Sequence, residues 1–542
     1  MYFYKVWVRS NRYHGREPLT YSYESKLSVG SIVKVPLQNI EVNGFIEGLV
    51  TKPKFKIKDI SSVYDLPCLP KHSIELAKWL LSYYPTSLGL ISQQFLPADF
   101  NVKKEDLTNK SIDKLQKKGL VELNKEQKLA VKEMDTVNHY LLHGITGSGK
   151  TRVYEELAIE SVNKGLSAII LTPEISLTSQ LADNFRTVFG NRVVVMHSQQ
   201  TPFERKTAWL KCLKSIKPLV VIGPRSSLFA PLNKIGLIVI DESHETAYKQ
   251  SQSPQYITSL VASYLANLTK SKLVLGTATP LILDYFYALQ KDRPIIKLKT
   301  LAKVNNVAKT KIEIIDLRDK SLFSKSYILS QKLIDMISNS LNKGEQVLLY
   351  LNRRGTARII LCQNCGWQSL CPHCDTPLIY HGDSHKLLCH SCTFSTNAPS
   401  LCPVCNHSDV IYKSAGTKAL ADDVSKLFPK ANVQRFDTDN IKSESFLSKY
   451  NDIKSGNIDI LVGTQIIAKG LDLPKLGLVG VVLADTNLNL PDYTSQERTF
   501  QLINQVIGRI GRGHIDGTAV IQTYNPGNPA INFAIKNNYS SF

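Results

Sequence analysis

An α/β fold is predicted: two consecutive parallel-sheet domains, preceded by a small β-rich domain. Three observations carry that expectation. At 542 residues the chain is too long for one hydrophobic core, so three or four domains are expected. From about Leu123 onward, short β-branched runs alternate with helical stretches in two successive series. Strands that are apolar on both faces and too far apart for hairpins suit buried parallel sheets. Before Leu123 the pattern differs, with β-type segments broken by Gly and Pro.

Residues 1–98 hold FYKVWV, SIVKVPL and GFIEGLV, then the helix-like KHSIELAKWLLSYYP (71–85). Lys52, Lys54, Lys56 and Lys58 recur at every second position and on a strand would share one face. Such a face either guards a sheet edge against aggregation or meets nucleic acid. The lysine-rich stretch at 99–122 reads as a linker or a surviving helix of a small domain. The first α/β domain, 123–305, has strand candidates HYLLHG, SAIILTP, RVVVMHS, LVVIGP, IGLIVIDE and KLVLGTATP. The second, 306–358 plus 409–542, has QVLLYLNRRG, NVQRFDTD, DILVGTQ, LVGVVLAD and GTAVIQTY. A cysteine cluster at 359–408 interrupts it after its first strand.

Composition is that of a globular protein, 43% hydrophobic and 21% charged, with an excess of basic residues giving a formal net charge of +20. That excess favours a polyanion, because neutralised phosphates release counterions, although a generally basic proteome would produce it too. The start, MYFYKVWVRSNRYHG, has no apolar signal core, and no apolar run approaches the ~20 residues needed to span a bilayer. A cytoplasmic chain with reduced cysteines and no membrane partner is therefore expected.

GITGSGKT (144–151) fits G-x-x-x-x-G-K-[ST], with a strand before it and a helix-compatible segment after it. Gly144, Gly147 and Gly149 permit a tight loop, with Thr146 and Ser148, whose N–H groups wrap phosphate oxygens. Lys150 then meets the β/γ-phosphates and the Thr151 hydroxyl ligates Mg²⁺. DESH (241–244) follows an apolar run. Asp241 would hold the Mg²⁺ and Glu242 would polarise the attacking water, although alone such a pair is more often a helix cap. In QVIGRIGR (505–512), Arg509 and Arg512 lie three apart, so both guanidiniums could reach one phosphate chain across an interdomain cleft.

Eight of the ten cysteines fall in C-x2-C-x5-C-x2-C-x14-C-x2-C-x9-C-x2-C, from Cys362 to Cys405. Four CxxC pairs make two closed tetrahedral Zn²⁺ sites, which stabilise a stretch too poor in apolar residues for its own core. Disulfides or an iron–sulfur cluster are the alternatives. His373, His381, His385 and His390 are read as non-ligands because eight sulfurs fill two sites, and Cys68 and Cys212 as ordinary packed residues.

Phosphate loop, DExH and Q-x-x-G-R-x-G-R in this order resemble a superfamily 2 helicase or translocase. LTPEISLTSQ, VVIGPRSSLFAP, DESHETAYKQ, GTATP, YLNRRG, GTQIIAKGLDLP and PDYTSQERTFQLINQVIGRIGR together resemble the PriA (primosomal protein N′) family of replication-restart helicases, over most of 120–535. That resemblance implies two tandem RecA-like P-loop motor domains, a two-zinc insertion in the second, and a β-rich N-terminal DNA-binding domain. It implies an ATP-dependent DNA helicase moving 3′ to 5′, a hydrolase using ATP, Mg²⁺ and two Zn²⁺. Its role would be to bind forked and single-stranded DNA and allow replicative helicase loading, with primosome and single-strand-binding proteins as partners; a monomer is expected.

Residue by residue, the family implies that Gln127 senses adenine and that Gln505 joins the nucleotide site. Arg225, Thr279, Arg353, Thr464, Gln465 and Lys469 would contact DNA or couple it to ATP. Tyr248, Lys249 and Gln250 form the family's coupling loop, where aromatic and cationic groups could stack on bases and neutralise phosphates. Cys362, Cys365, Cys402 and Cys405 would hold one ion, and Cys371, Cys374, Cys389 and Cys392 the other.

The chain departs from that family in five places. It ends soon after the second motor domain, where the family is expected to continue with a C-terminal domain, and 99–122 is expected to hold no more than a reduced winged-helix remnant. Pro224 stands for the usual Thr, Ser243 for the usual Glu, and SQSPQYITS lacks an expected arginine. A translocase that remodels nucleoprotein without unwinding, or a fork-binding scaffold with weak catalysis, are the alternative functions.

Overall fold

The computed structural model describes residues 1–100, 115, 121–302, 310–326, 328–351, 360–362, 364–365, 367–374, 377–381, 384–389, 392–408, 410–411, 416–436, 452–453, 455–464, 473, 475–488, 492–510 and 516–542. The chain divides into two compact units, 1–302 and 303–542.

The first unit opens with β1 (Tyr2–Val8), β2 (Leu19–Tyr23), β3 (Ile32–Leu37), β4 (Ile40–Val50), β5 (Lys58–Asp59) and β6 (Ser62–Val63), in one sheet ordered β5-β2-β1-β4-β3-β6. Alternation along β1 sends Tyr4, Val6 and Val8 into the core, where Trp7 also stacks on Phe45 at 5.6 Å. Helix Lys71–Tyr83 buries Ile74, Ala77, Leu80 and Leu81, the three-and-four spacing of one helical face. Helix Leu88–Phe95 follows, capped by the Ser87 hydroxyl, which accepts from the Leu90 N–H.

The expected lysine stripe is not a strand face. The chain leaves β4 at Val50, and only Lys58 of the four lies on a strand. Pro53, which has no N–H to donate, stands where the ladder would have to continue. The lysine-rich segment 99–122 lies almost wholly outside the described residues.

The second sheet contains β7 (His139–Gly144), β8 (Ser167–Leu171), β9 (Val193–Val195), β10 (Val220–Gly223), β11 (Ile235–Asp241), β12 (Lys272–Thr277) and β13 (Ile295–Leu298). Its order is β13-β7-β12-β11-β8-β10-β9, parallel throughout. The N-terminal domain packs on this α/β domain through one continuous apolar core. Trp209 donates its indole N–H to Phe95 O at 2.9 Å, Phe95 meets Phe229 edge to face at 5.2 Å, and Trp79 stacks on Tyr264 at 4.3 Å.

The second unit runs β14 (Thr310–Asp316), β15 (Gln346–Tyr350), then five short strands of the cysteine-bearing segment: β16 (Leu361–Cys362), β17 (Ile379–His381), β18 (Lys386–Leu388), β19 (Ser395–Asn397) and β20 (Val410–Ile411). β21 (Val433–Phe436), β22 (Ile460–Gly463), β23 (Leu476–Val481) and β24 (Gly517–Thr523) complete a parallel sheet ordered β14-β24-β23-β15-β22-β21. β16 pairs with β20, tying the two ends of the cysteine segment together, and β17, β18 and β19 form a small meander inside it. Fully buried Gln522 knits the large sheet to its surroundings: its amide donates to Ile328 O and Val482 O and accepts from the Ser330 N–H.

Candidate functional site

β7 ends at Gly144 and helix Lys150–Asn163 begins six residues later, so the intervening turn must fold back tightly. Gly147 (φ +82°) and Gly149 (φ +77°) take the left-handed conformations that this requires. The Lys150 ammonium donates to Gly144 O at 3.0 Å and stands 3.9 Å from Glu242 Oε1. Ser148 Oγ is buried without a hydrogen-bond partner among the described residues. A cradle of N–H groups, a lysine and an orphaned hydroxyl at a helix N-terminus fits a bound phosphate chain.

Gln127 sits in a capping box with Asn124, its Oε1 accepting the Asn124 N–H at 2.9 Å. Its Nε2 donates to Ser148 O at 2.9 Å, which binds this helix to the phosphate loop. Both ends of the expected adenine sensor are thus engaged within the protein. Thr146 on the same loop and Thr151 in the first turn of the helix are half-buried.

Asp241 closes β11 beside the phosphate loop. Burial, and then the adjacent Glu242 carboxylate, raise its pKa, with Lys150 opposing them. A cation at this carboxylate would reverse that balance. Tyr154 donates its hydroxyl to Asp241 Oδ1 at 2.9 Å, and Tyr248 donates to the Asp241 main-chain carbonyl at 2.7 Å. Glu242 has φ +46°, a conformation uncommon for a side chain of this kind. His244 Nδ1 lies 2.6 Å from the Thr277 hydroxyl, joining DESH to GTATP. Ser243, at the departure from the family pattern, is buried, and its N–H donates to Gly276 O at 3.0 Å.

The coupling residues are arranged differently from what their chemistry suggested. Tyr248 is only 5% exposed and belongs to the core, so its ring is not presented for stacking on bases; its hydroxyl serves Asp241 instead. Lys249 is exposed, and Gln250 accepts from Arg225 Nε at 3.2 Å. Thr279 is buried, its N–H donating to the Thr277 hydroxyl at 3.0 Å. In the second unit Thr464 and Arg509 are buried and Gln505 is half-buried beside Arg509 on the helix Ser495–Ile507 and the turn after it. Arg353, Gln465, Lys469, Arg512 and His390 lie outside the described residues.

The eight clustered cysteines form two quartets, Cys362, Cys365, Cys402 and Cys405, and Cys371, Cys374, Cys389 and Cys392, with all sulfurs of a quartet within 4.8 Å of one another. Cys362 and Cys405 sulfurs lie 3.5 Å apart, Cys365 and Cys402 3.6 Å, and Cys371 and Cys392 3.5 Å. Metal–sulfur bonds of about 2.3 Å in a tetrahedron put sulfurs about 3.8 Å apart, whereas a disulfide needs about 2.05 Å. The residues after two of the pairs, Thr393 (φ +64°) and Asn406 (φ +54°), turn left-handed, so each pair can bite one ion. Asn364 Nδ2 donates to Cys405 Sγ at 3.5 Å, an outer contact that steadies the ligand. The hydrogen bond with Cys392, then burial, push the Cys374 thiol up to about 12. Cys212 is buried as expected, but Cys68 is exposed, with its sulfur 3.7 Å from the Ser31 hydroxyl.

Sequence reading missed Tyr154. It lies one helical turn beyond Lys150, on the same face, which is the signal that could have found it.

Three family matches fall along this layout: a 3′DNA-binding domain at residues 5–97, a DEAD/DEAH box helicase at 124–283, and a helicase conserved C-terminal domain at 401–514. With the phosphate loop and its acidic pair, they define the class: an ATP-dependent helicase that acts on DNA. The chain is 36% identical to the replication restart protein PriA of Bacillus subtilis, over 82% of this chain and 59% of that one. It is 36% identical to that of Rickettsia conorii, over 95% of this chain and 80% of the relative. The chain belongs to the replication restart protein PriA family. Among solved structures, RecG bound to a three-way DNA junction matches 77% of this chain and 46% of its own at 14% identity, with a TM-score of 0.46.

Proposed function

We propose that the chain is an ATP-dependent 3′ to 5′ DNA helicase of replication restart, which binds stalled forks and unwinds DNA so that a replicative helicase can be loaded. The observation that carries this is the half-site in the first unit. Lys150 lies between Gly144 O and Glu242, with Asp241 held by Tyr154, in the same unit as the 3′DNA-binding domain match.

Bound Mg²⁺–ATP would supply the scissile phosphoryl group and the charge that offsets its oxygens. The chain's residues do the rest. N–H groups of the loop at Gly147 and Gly149 would hold the phosphates, and the Lys150 ammonium, which donates to Gly144 O, would instead serve a phosphate oxygen. Thr151 and Asp241 would hold the metal, while Glu242 would orient water and take its proton on a carboxylate oxygen. Arg509 and Arg512 would add positive charge where it develops.

The two quartets would each bind Zn²⁺, as their sulfur spacing supports. Single-stranded and forked DNA would be the substrates, with primosome and single-strand-binding proteins as partners of a monomeric cytoplasmic enzyme. Among the described residues no helix is long and apolar enough to cross a membrane. Strand displacement on a forked DNA tests the proposal. ATP-dependent displacement that needs a free 3′ loading strand is expected; vigorous ATP hydrolysis with no displacement would point to a translocase instead.

A further inference from the structure

Asp241 is held at two points by two buried tyrosines that come from different parts of the first unit. Tyr154, on the helix that follows the phosphate loop, is fully buried and donates to Asp241 Oδ1 at 2.9 Å. Tyr248, after DESH, donates to the Asp241 main-chain carbonyl at 2.7 Å and is itself pinned by the Thr258 hydroxyl, which donates to Tyr248 O at 2.7 Å. The neighbouring strand makes room for the first contact. Asp241 and Gly276 are register partners between β11 and β12, and a Cβ on Gly276 would stand 1.8 Å from the Tyr154 hydroxyl.

This geometry has a chemical consequence. A carboxylate at the end of a strand can swing about its side-chain torsions and offer a cation either oxygen or both. A neutral donor on Oδ1, itself locked in a helix and packed against Gly276, removes that freedom and leaves Oδ2 as the oxygen to offer a cation. Phenylalanine would fill the same volume without the donor, so the hydroxyl is what distinguishes the residue from ordinary core packing.

We infer that Tyr154 is a positioning residue for the metal ion of the nucleotide site: it orients Asp241 so that Oδ2 meets Mg²⁺, with Gly276 as the small residue that admits its hydroxyl. This rests on the phosphate-loop reading above and goes beyond it.

The test is equilibrium binding of a fluorescent non-hydrolysable ATP analogue to the full chain, in EDTA and across a MgCl₂ titration. Tyr154→Phe keeps the packing and removes the donor. Its affinity in EDTA should stay within about twofold of the parent's. The Mg²⁺ concentration for half-maximal tightening should rise about tenfold, the scale of one hydrogen bond to a charged group. Gly276→Ala should shift the Mg²⁺ dependence in the same direction, and combining it with Tyr154→Phe should add less than twofold, because both act on one contact. An unchanged Mg²⁺ dependence in Tyr154→Phe overturns the inference, and so does an equal loss of binding with and without Mg²⁺, which marks a packing defect. Lys150→Ala separates the two layers. If it abolishes binding while Tyr154→Phe behaves like the parent, the inference alone fails; if it binds normally, the phosphate-loop reading fails as well.

Discussion

The N-terminal sheet and the cysteine-bearing segment are both small β-structures joined to a parallel α/β domain, yet different forces hold them. The N-terminal domain brings large apolar side chains, including Tyr4, Trp7, Phe45 and Phe95, and its core runs without a break into that of the α/β domain behind it. Among its described residues the cysteine segment has seven buried core residues, and four of these are Cys362, Cys371, Cys389 and Cys402. Apolar burial stabilises by roughly 25 cal/mol per Å², which a domain with docked aromatics can exploit and a short loop-rich segment cannot. In the latter, metal–thiolate bonds would take the place of a core. One appendage is therefore fastened to its neighbour, whereas the other is closed on itself.

That contrast can be broken most forcefully by removing metal. Structural Zn²⁺ contributes about 10 kcal/mol or more in small domains, so chelation should unfold the cysteine segment while the N-terminal domain keeps its near-ultraviolet circular dichroism from tryptophan. Replacing Cys371 and Cys374 with Ser should lower bound zinc, measured by elemental analysis, from two ions per chain to one. Strand displacement should then fall at least about tenfold and ATP hydrolysis much less. Equal loss of both activities would place the damage in the whole fold.

The reverse experiment is Trp209→Ala. Truncating this buried tryptophan, which donates to Phe95 O, should cost about 3–5 kcal/mol in denaturant unfolding and leave zinc content at two. A smaller effect follows from pH. Burial holds His72 down to about 4, from an ordinary value of 6.5. The unfolded chain takes up this proton below about pH 6.5 and the folded chain only near pH 4. Stability is therefore complete above 6.5 and falls as pH drops through that window, by up to about 3 kcal/mol. His72→Gln should flatten that part of the stability–pH curve. The smallest expected change is Tyr84→Phe. Its hydroxyl accepts the Ile257 N–H at 3.1 Å, between the N-terminal domain and the end of the loop after DESH. Losing it should cost about 1 kcal/mol in the same unfolding assay.

The parallel sheets were legible in the sequence because their inner strands are short runs of β-branched residues, buried on both faces. Two of the edge strands were not: β13 and β14 mix lysine or glutamate with isoleucine and are only partly buried, so their pattern resembles a loop. Phosphate loop, acidic pair and cysteine spacing were readable because each motif brings its chemistry together locally. The direction of a ring is not local. Tyr248 looked like a stacking group until its hydroxyl was found on Asp241, and Tyr154 reaches Asp241 across 87 residues of sequence. The lysine stripe misled because alternation was counted through Pro53, where a strand ladder cannot continue.

The central claim is tested most directly by ATP hydrolysis measured side by side with forked DNA, single-stranded DNA, RNA and no nucleic acid. The account predicts little hydrolysis alone and at least about tenfold stimulation by forked or single-stranded DNA, lost in Lys150→Ala. Stimulation by RNA equal to or greater than that by DNA, or hydrolysis indifferent to nucleic acid, would contradict it.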